Sequence, residues 1–372
     1  MNAQTLSEDI VRRFAIYGDL EDMRPFGLGH INTTFVSRWN QAGVRVRYLH
    51  QLINDRVFLR PEEVMENIDR VTRYIASLLR KEGERDISRR TLSVVPARDG
   101  RLFVRDGGWW RTYLFIEGTH VLEVVCTPHD AFFLGKAVGH FQKQLAGFGG
   151  KPLHETIPGF HNMESRYLAF HDAVKRDPLN RAVTAGAEIG FMLENEERGA
   201  VLVRALREGR VPWRVCHNDA KINNILIDNG DNRPLCVVDL DTVMPGTCLF
   251  DSGDLIRTVT TRAKEDERDL SKVEFDFSFF AALLQGYLSG AASFLTAEEK
   301  SLLPESGRNI THIMGLRFLT DYLEGDAYYH VSRPGHNLDR ARNQIALIRS
   351  MDREWEKVLK TAESLSAASS GD

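Results

Sequence analysis

The chain has 372 residues, a hydrophobic fraction of 42% and a formal net charge of −4. Because one hydrophobic core rarely organises so many residues, two packed lobes are expected. Without a basic excess, the chain has no bulk attraction to nucleic acid or to an anionic membrane, and neither is expected as a partner.

The first 117 residues are predicted to form a small antiparallel sheet with one long helix. Residues from Pro61 onward have apolar side chains at helical spacing, and Pro61 suits the first turn of a helix. Alternating residues on either side of Gly43 predict a hairpin. The predicted elements, in order, are a leading helix, two strands, the long helix and three short strands: 1–20, 34–39, 44–49, 61–81, 92–95, 102–104 and 110–115.

Helical periodicity dominates from Leu122 onward, and strand patterns stop at Glu117. This change predicts two domains, residues 1–117 and residues 118–372. The predicted helices of the second domain are 129–146, 163–176, 188–208, 250–263, 273–290, 297–325 and 337–364.

The four cysteines are too widely spaced for a zinc knuckle or a redox dithiol: Cys126, Cys216, Cys236 and Cys248. They favour buried, reduced thiols in a cytoplasmic enzyme. The first 20 residues show no signal-peptide pattern. The apolar-rich run 275–295 is too polar for a membrane span and is typical of a buried helix.

The segment 216–241 is the most informative part of the sequence. It reads as an apolar strand, a polar loop with His-x-Asp and an Asn five residues after that Asp, then two apolar strands, the second followed by Asp239. Phosphoryl transfer needs a carboxylate that orients the attacking hydroxyl, and oxygen ligands that hold Mg²⁺ against the phosphates of ATP. Asp219 is therefore the candidate catalytic base, and Asn224 and Asp239 are the candidate Mg²⁺ ligands. The alternative is an Asx-rich turn between two strands.

Neighbouring polar residues leave alternatives open. His217 is predicted to support the loop through backbone hydrogen bonds. Asp241 is either a second metal ligand or a solvated aspartate, and lies on the same face as Asp239 if the strand continues. Asp251 or Asp254 is predicted to cap a helix, and one of them to anchor the catalytic loop from below, and the two interpretations are compatible.

Gly27 and Gly29 lie between the first strands, in a segment where backbone amides can approach phosphates closely. Two glycines in a hairpin turn are also commonplace. His30 follows them, and from the sequence alone it is equally an ordinary polar turn residue.

The arrangement resembles the aminoglycoside phosphotransferase/choline kinase-like superfamily, which shares the two-lobed protein-kinase fold. Over about residues 20–360, longer matches resemble its N-acetylhexosamine 1-kinase branch. The segments that carry this resemblance are 27–32, 64–68, 217–224, 238–246 and 251–254. The resemblance implies an α+β fold, with a small antiparallel-sheet lobe that binds nucleotide and a large, mainly helical lobe that is catalytic and binds substrate.

The resemblance also implies ATP and Mg²⁺ as cofactors and roles for particular residues. The hinge would present the backbone of Phe115, Ile116 and Glu117 to adenine. Sugar recognition would fall on a set drawn from both domains: His30, Asp219, Asp239, Thr242, Arg317, Tyr328 and Trp355. Tyr329 is the alternative to Tyr328. Without the resemblance, aromatic residues and an arginine on the C-terminal helices are typical of a core and of a solvated helix face.

One position departs from the general kinase pattern. The third-strand lysine is absent, because His50 and Gln51 occupy that place. A lysine–glutamate ion pair with Glu66 on the following helix is therefore doubtful. Phosphate binding would depend more on the glycine loop, on Mg²⁺ and on uncharged donors such as Gln51.

The leading hypothesis is a monomeric, cytoplasmic, ATP-dependent kinase of carbohydrate metabolism that phosphorylates the anomeric hydroxyl of an N-acetylhexosamine-type sugar. One alternative keeps the chemistry and changes the acceptor to choline, an aminoglycoside or another hydroxylated metabolite. The other is a nucleotide-binding scaffold without turnover, which the missing lysine favours and the intact Asp219, Asn224 and Asp239 set disfavours.

Overall fold

The computed structural model describes residues 6–27 and 31–369. The chain forms the two lobes of the kinase-like α+β fold, a small antiparallel-sheet lobe and a larger, mainly helical lobe. Two compact units are built from several chain segments each. The first contains Met1–Thr119, Phe148–Pro158 and Leu235–Met244, and the second contains His120–Gly147, Gly159–Pro234 and Pro245–Asp372.

The first unit is organised around a five-stranded antiparallel sheet with the strand order β1-β2-β3-β5-β4. In the β3–β5 ladder, Gln51 lies opposite Arg111. The core on this sheet includes the fully buried Trp39 and Trp110. The elements are β1 Asp19–Pro25, β2 Thr33–Gln41, β3 Val44–Ile53, β4 Val104–Arg105, β5 Trp109–Leu114, α1 Glu8–Arg12, α2 Pro61–Lys81 and α3 Ile87–Arg90.

The predicted hairpin and long helix are confirmed. Ala42 and Gly43 both have positive φ, the backbone conformation that lets a two-residue turn follow the twist of the strands. The helix α2 begins at Pro61, where a missing N–H costs nothing, and it buries an apolar face along its length.

Three local predictions for the first unit are wrong. The leading helix is only five residues long, because Phe14 forms a β-bridge with Ala97 and the chain then enters β1. Residues 92–95 contribute one isolated bridge, between Val94 and Tyr113, instead of a strand. The strand predicted at 102–104 is the two-residue β4.

From Thr119 onward helices dominate, as predicted, and those at 129–146 and 163–176 are confirmed to within a residue. Three of the predicted long helices are interrupted, at Asn195 and Ala200, at Leu302 and at Glu354, where the backbone leaves helical geometry. The elements are β6 Thr119–His120, α4 Pro128–Ala146, α5 Met163–Arg176, α6 Gly186–Glu194, α7 Glu196–Gly199, α8 Val201–Arg207, β7 Arg214–Cys216, β8 Ile225–Asp228, β9 Pro234–Val237, β10 Met244–Gly246, α9 Cys248–Val259, α10 Phe277–Ala291, α11 Ala297–Ser301, α12 Leu303–Glu324, α13 His336–Arg353 and α14 Trp355–Ala368.

The helices α4 and α10 pack unusually closely in the core of the second unit. A Cβ at Gly135 would collide with the carbonyl of Leu283, and a Cβ at Gly286 would collide with the carbonyl of Phe132. This close packing fixes the end of α4 that carries Gln142, whose side-chain oxygen accepts a hydrogen bond from Tyr287 of α10 at 2.5 Å. Among the described residues, none of the helices combines the length and apolar character that crossing a membrane requires.

Candidate active site

A buried carboxylate holds the polar loop that follows β7. Asp251 accepts a hydrogen bond from the backbone N–H of His217 at 3.0 Å and another from that of Asn218 at 2.6 Å. Gln142 donates a third, at 3.0 Å. Burial raises the pKa of Asp251 above its ordinary value, and these donors oppose the rise. The helix cap is Thr247, so Asp251 is the loop anchor that the sequence offered as one of two interpretations.

Asn218, immediately before the candidate base, has a left-handed backbone with φ of 63°. Such a conformation persists only when its surroundings enforce it. Besides the bond to Asp251, its carbonyl accepts from Nε2 of His161 at 2.7 Å, and its side chain donates to the carbonyl of Cys216 at 3.2 Å. The strained residue is therefore held from three directions, and it sets the direction in which Asp219 leaves the loop.

The Asp219 carboxylate, with 28% of its side chain exposed, lies beside Lys221. Lys221 Nζ is 2.8 Å from Oδ2. Burial would raise the pKa of Asp219, but the charge and hydrogen bond of Lys221 hold it below the ordinary value. The backbone N–H of Asp219 donates to Nδ1 of His217 at 3.2 Å, which confirms the supporting role predicted for His217. Asp219 is thus ionised at neutral pH.

Asn224 belongs to the same loop in the second unit. Its Nδ2 donates to the backbone carbonyl of Asp219 at 2.8 Å and to Oδ2 at 3.2 Å. With the nitrogen engaged there, the amide oxygen is the group that suits a hard cation. Residues 6–27 and 31–369 contain no cluster of three or more His, Cys, Asp or Glu able to hold a metal. This donor chemistry fits Mg²⁺, which keeps waters and shares substrate phosphates.

Asp239 and Asp241 belong to the first unit and are not on a strand. The strand β9 ends at Val237, Asp239 has φ of 60°, and Leu240–Thr242 is a turn of 3₁₀-helix. The strand therefore does not continue to Asp241, and the condition for the two aspartates to share a strand face is not met.

Asp241 is only 3% exposed, so it is not the solvated aspartate of one interpretation. Its Oδ1 lies 2.5 Å from NH1 of Arg111, and its Oδ2 accepts from Asn32 at 2.7 Å. Its backbone carbonyl accepts from Thr156 at 2.8 Å. Thr242 beside it is also buried.

The third-strand position provides no cation. His50 is completely buried, its ring nitrogens contact Ser37 and Thr112, and burial lowers its pKa to about 3. Gln51 Oε1 accepts from Nε of Arg111 at 2.9 Å, and its Nε2 donates to Thr34.

Glu66 on α2 bonds to His154 at 2.9 Å. Among the described residues, the glutamate thus has no lysine partner on β3, and its hydrogen-bonding partner is instead a histidine.

The predicted hinge is partly occupied by internal contacts. The carbonyl of Ile116 accepts from Thr119, and that of Glu117 accepts from Arg89. The ring of Phe115 packs edge-on against Phe26. In the glycine loop, Gly27 is exposed with φ of 68°, whereas the predicted Gly29 and His30 lie outside the described residues.

Arg317 on α12 is the centre of an aromatic cluster in the second unit. It is 9% exposed, and its guanidinium lies 4.8 Å from the ring centre of Phe160, 5.4 Å from Tyr329 and 5.7 Å from Tyr328. Burial would lower the pKa of Arg317, but the tyrosines and the charge of Asp219 raise it. The structure therefore places Arg317 against both tyrosines and within electrostatic reach of Asp219, the candidate base.

Trp355 does not belong to this cluster. Its ring lies 4.8 Å from the guanidinium of Arg308 and 5.6 Å from that of Arg198. No contact with Arg317 or Asp219 is recorded for it in the part of the chain that the structure describes.

The sequence profile of the phosphotransferase enzyme family matches residues 22–293. This range includes the candidate base Asp219 and the candidate metal ligands Asn224 and Asp239. The chain belongs to the phosphotransferase enzyme family. The members of this family transfer phosphoryl groups. This is the chemistry that the residues of the Asp219 loop indicate.

Solved structures share the fold of this phosphotransferase over nearly its whole length. A microcompartment-associated aminopropanol kinase has 17% identity and a TM-score of 0.60, covering 94% of this chain and 96% of its own. A choline kinase from Cryptosporidium parvum Iowa II has 14% identity and a TM-score of 0.56, covering 92% of each chain. An ethanolamine kinase from Plasmodium vivax has 13% identity and a TM-score of 0.56, covering 89% and 84%. Identities this low show a common fold and leave the acceptor to be argued from the site.

Sequence reasoning missed several residues around these sites. Lys221 lies inside the recognised motif and was detectable there as the charge nearest to Asp219. Arg111, Arg166 and His161 had no such signal, because none of them lies in a recognised motif and each is an ordinary residue of a strand, a helix or a loop.

Proposed function

We propose that this phosphotransferase is an ATP- and Mg²⁺-dependent small-molecule kinase that phosphorylates the anomeric hydroxyl of a hexosamine-type sugar. The observation that carries the proposal is in the second unit. An ionised Asp219 on a rigid loop lies in the electrostatic reach of Arg317, a buried cation surrounded by aromatic rings.

Asp219 is proposed as the catalytic base. Its lowered pKa makes it a weak base, so it would orient the acceptor hydroxyl by hydrogen bonding and take its proton as the new P–O bond forms. Asn224 and Asp239 are proposed as the residues that hold Mg²⁺, which when bound offsets the negative charge of the ATP phosphates. The glycine loop with Gly27 and Gly29, Gln51, and the hinge residues Phe115, Ile116 and Glu117 remain the proposed nucleotide contacts.

The charges around Arg317 are evidence for the chemical class of the acceptor. Arg166 Nη2 donates to the carbonyl of Phe160 at 3.0 Å, and its pKa is lowered to about 10 by burial and by the neighbouring charge of Arg317. Two guanidinium groups therefore share one region, and no ion pair with a carboxylate is recorded for either in the described ranges. Nearby Asp321 already accepts from the backbone N–H groups of Tyr328 and Tyr329.

A site for choline, for an amino alcohol or for an aminoglycoside would instead present carboxylates and an aromatic cage to a cation. Guanidinium donors next to aromatic rings suit a ligand rich in acceptor oxygens with one apolar face, as a sugar ring is. The charge pattern thus favours the sugar over the amino-group acceptors named for the structural neighbours. His30, Thr242 and Trp355 stay in the proposal only on the resemblance.

The test is ATP consumption with a panel of N-acetylhexosamines, free hexoses, choline, ethanolamine and aminoglycosides, with Asp219→Asn as the inactive control. We expect sugar-dependent consumption that the control lacks. Consumption with choline or ethanolamine and with no sugar would refute the acceptor assignment. ATP binding without consumption for any acceptor would favour the non-catalytic scaffold.

A further inference from the structure

The first unit contains a buried ion pair that neither the family match nor the structural neighbours assign. We propose that Arg111 and Asp241 are positioning residues that hold the Asp239 turn in place for Mg·ATP. This inference rests on the proposed function in one respect, the binding of Mg·ATP. It does not depend on which acceptor is phosphorylated.

The lysine–glutamate ion pair of the general kinase pattern cannot form here. His50 is neutral, fully buried and occupied at both ring nitrogens, so it supplies no charge. Gln51 is uncharged, and Glu66 is half-exposed beside His154. The cation at this place in the sheet is on the neighbouring strand β5, because the residue opposite Gln51 is Arg111.

Arg111 joins two strands to the metal-binding turn. Its side chain is 1% exposed, its Nε donates to Gln51 on β3 at 2.9 Å, and its NH1 is 2.5 Å from Asp241. The charges of Asp241 and Asp239 both favour the protonated guanidinium, against the effect of burial. A planar guanidinium suits this task, since it can hold two acceptors in fixed directions at once.

Further contacts fix the same turn from other sides. Asn32, just before β2, donates to the second oxygen of Asp241 at 2.7 Å, and it accepts from the backbone N–H of Asn54 at 3.0 Å. Asn67 of α2 donates to the carbonyl of Val243 at 2.9 Å. Asp241 thus contacts Arg111 through Oδ1 and Asn32 through Oδ2, and we assign it to anchoring the turn that carries Asp239, the proposed metal ligand.

Residues that do not touch a metal but hold its ligand in place orient that ligand. Their loss typically weakens metal binding or activity by about 10- to 100-fold. We therefore expect Arg111→Met and Asp241→Asn to raise the Mg²⁺ concentration needed for half-maximal ATP binding by about tenfold or more. Arg111→Lys keeps the charge and loses the fork geometry, so its shift should be smaller.

The experiment is calorimetric titration of ATP at a series of Mg²⁺ concentrations, with thermal melting in parallel. Arg214→Met is the matched control, because it breaks another buried ion pair, with Glu299 in the second unit. It should lower the melting temperature and leave the Mg²⁺ dependence unchanged.

Arg111→Lys and Asp241→Asn keep the experiment decisive if Arg111→Met fails to fold. A Mg²⁺ dependence equal to wild type in both would mean that the ion pair only stabilises the fold, and would overturn the inference. If the wild-type protein itself binds no Mg·ATP, both the inference and the proposed function fail. If it binds Mg·ATP but phosphorylates no sugar, only the acceptor assignment fails.

Discussion

Arg111 in the first unit and Arg317 in the second are both almost fully buried, yet their surroundings differ. Arg111 meets the carboxylate of Asp241 at 2.5 Å. Arg317 lies against three aromatic rings, and no ion pair is recorded for it within the described residues. Because a buried charge without a partner is costly, a fold keeps one only where something else compensates. The contrast distinguishes a cation that ties the structure together from one that we propose binds the acceptor.

The largest expected effect concerns the chemistry assigned to the second unit. Asp219→Asn should lower turnover by about 10²- to 10⁴-fold, since the positioned base is lost. The ATP affinity and the melting temperature should hardly change, because the loop is held by Asp251 and not by the Asp219 carboxylate. Single-turnover kinetics and calorimetry measure the two quantities. Unchanged turnover with every acceptor would remove Asp219 from the mechanism.

The next prediction compares the two arginines directly. Arg111→Met should reduce the free energy of unfolding by about 3–5 kcal/mol, because Asp241 is left buried and unpaired. Arg317→Met breaks no ion pair and should change it by only about 1 kcal/mol or less. Urea denaturation of both variants checks this. Equal losses of unfolding free energy in the two variants would contradict the comparison, because both arginines would then stabilise the fold to the same extent.

Arg317→Met should nevertheless raise the KM for the sugar about tenfold or more, as expected for losing a charged hydrogen-bond donor. The KM for ATP should stay the same. Thr311→Val is the control on the same helix, because Thr311 is buried too but its hydroxyl donates to the carbonyl of Gly307. If the control shifts the sugar KM as much as Arg317→Met does, the effect comes from the helix and not from ligand binding.

The smallest expected effect is on pH dependence. Lys221 lowers the pKa of Asp219, so its removal raises that pKa and leaves more of the base protonated at acid pH. The acid limb of the kcat profile of Lys221→Met should therefore move to higher pH. An exposed lysine paired with Glu123 provides the control Lys264→Met, which should not move it. An acid limb at the wild-type position would show that another group controls it.

The sequence was sufficient for the parts that depend on local pattern. The period of the residues after Pro61 predicts α2 to its last residue, and the spacing of Asp219, Asn224 and Asp239 identifies the family's chemistry. Asp251 was recognised as a possible loop anchor beside the commoner task of helix capping, because it lies near the start of a predicted helix.

The charge network could not be predicted in the same way. That Arg111 faces Gln51 depends on the β3–β5 register, which joins residues 60 positions apart. The sequence left open whether the strand continues to Asp241, and it does not, because Asp239 turns the backbone to positive φ. Arg317 was chosen only through a family resemblance, since an arginine on a helix is usually solvated and its burial depends on tertiary packing.

The central claim is the identity of the acceptor, and the most direct measurement is ³¹P NMR of the product formed from ATP, Mg²⁺ and an equimolar mixture of N-acetylglucosamine and choline. The proposal predicts a sugar 1-phosphate, recognised by the coupling of phosphorus to the anomeric proton, and no choline phosphate. Choline phosphate as the product, or phosphate on any sugar hydroxyl other than the anomeric one, would contradict it.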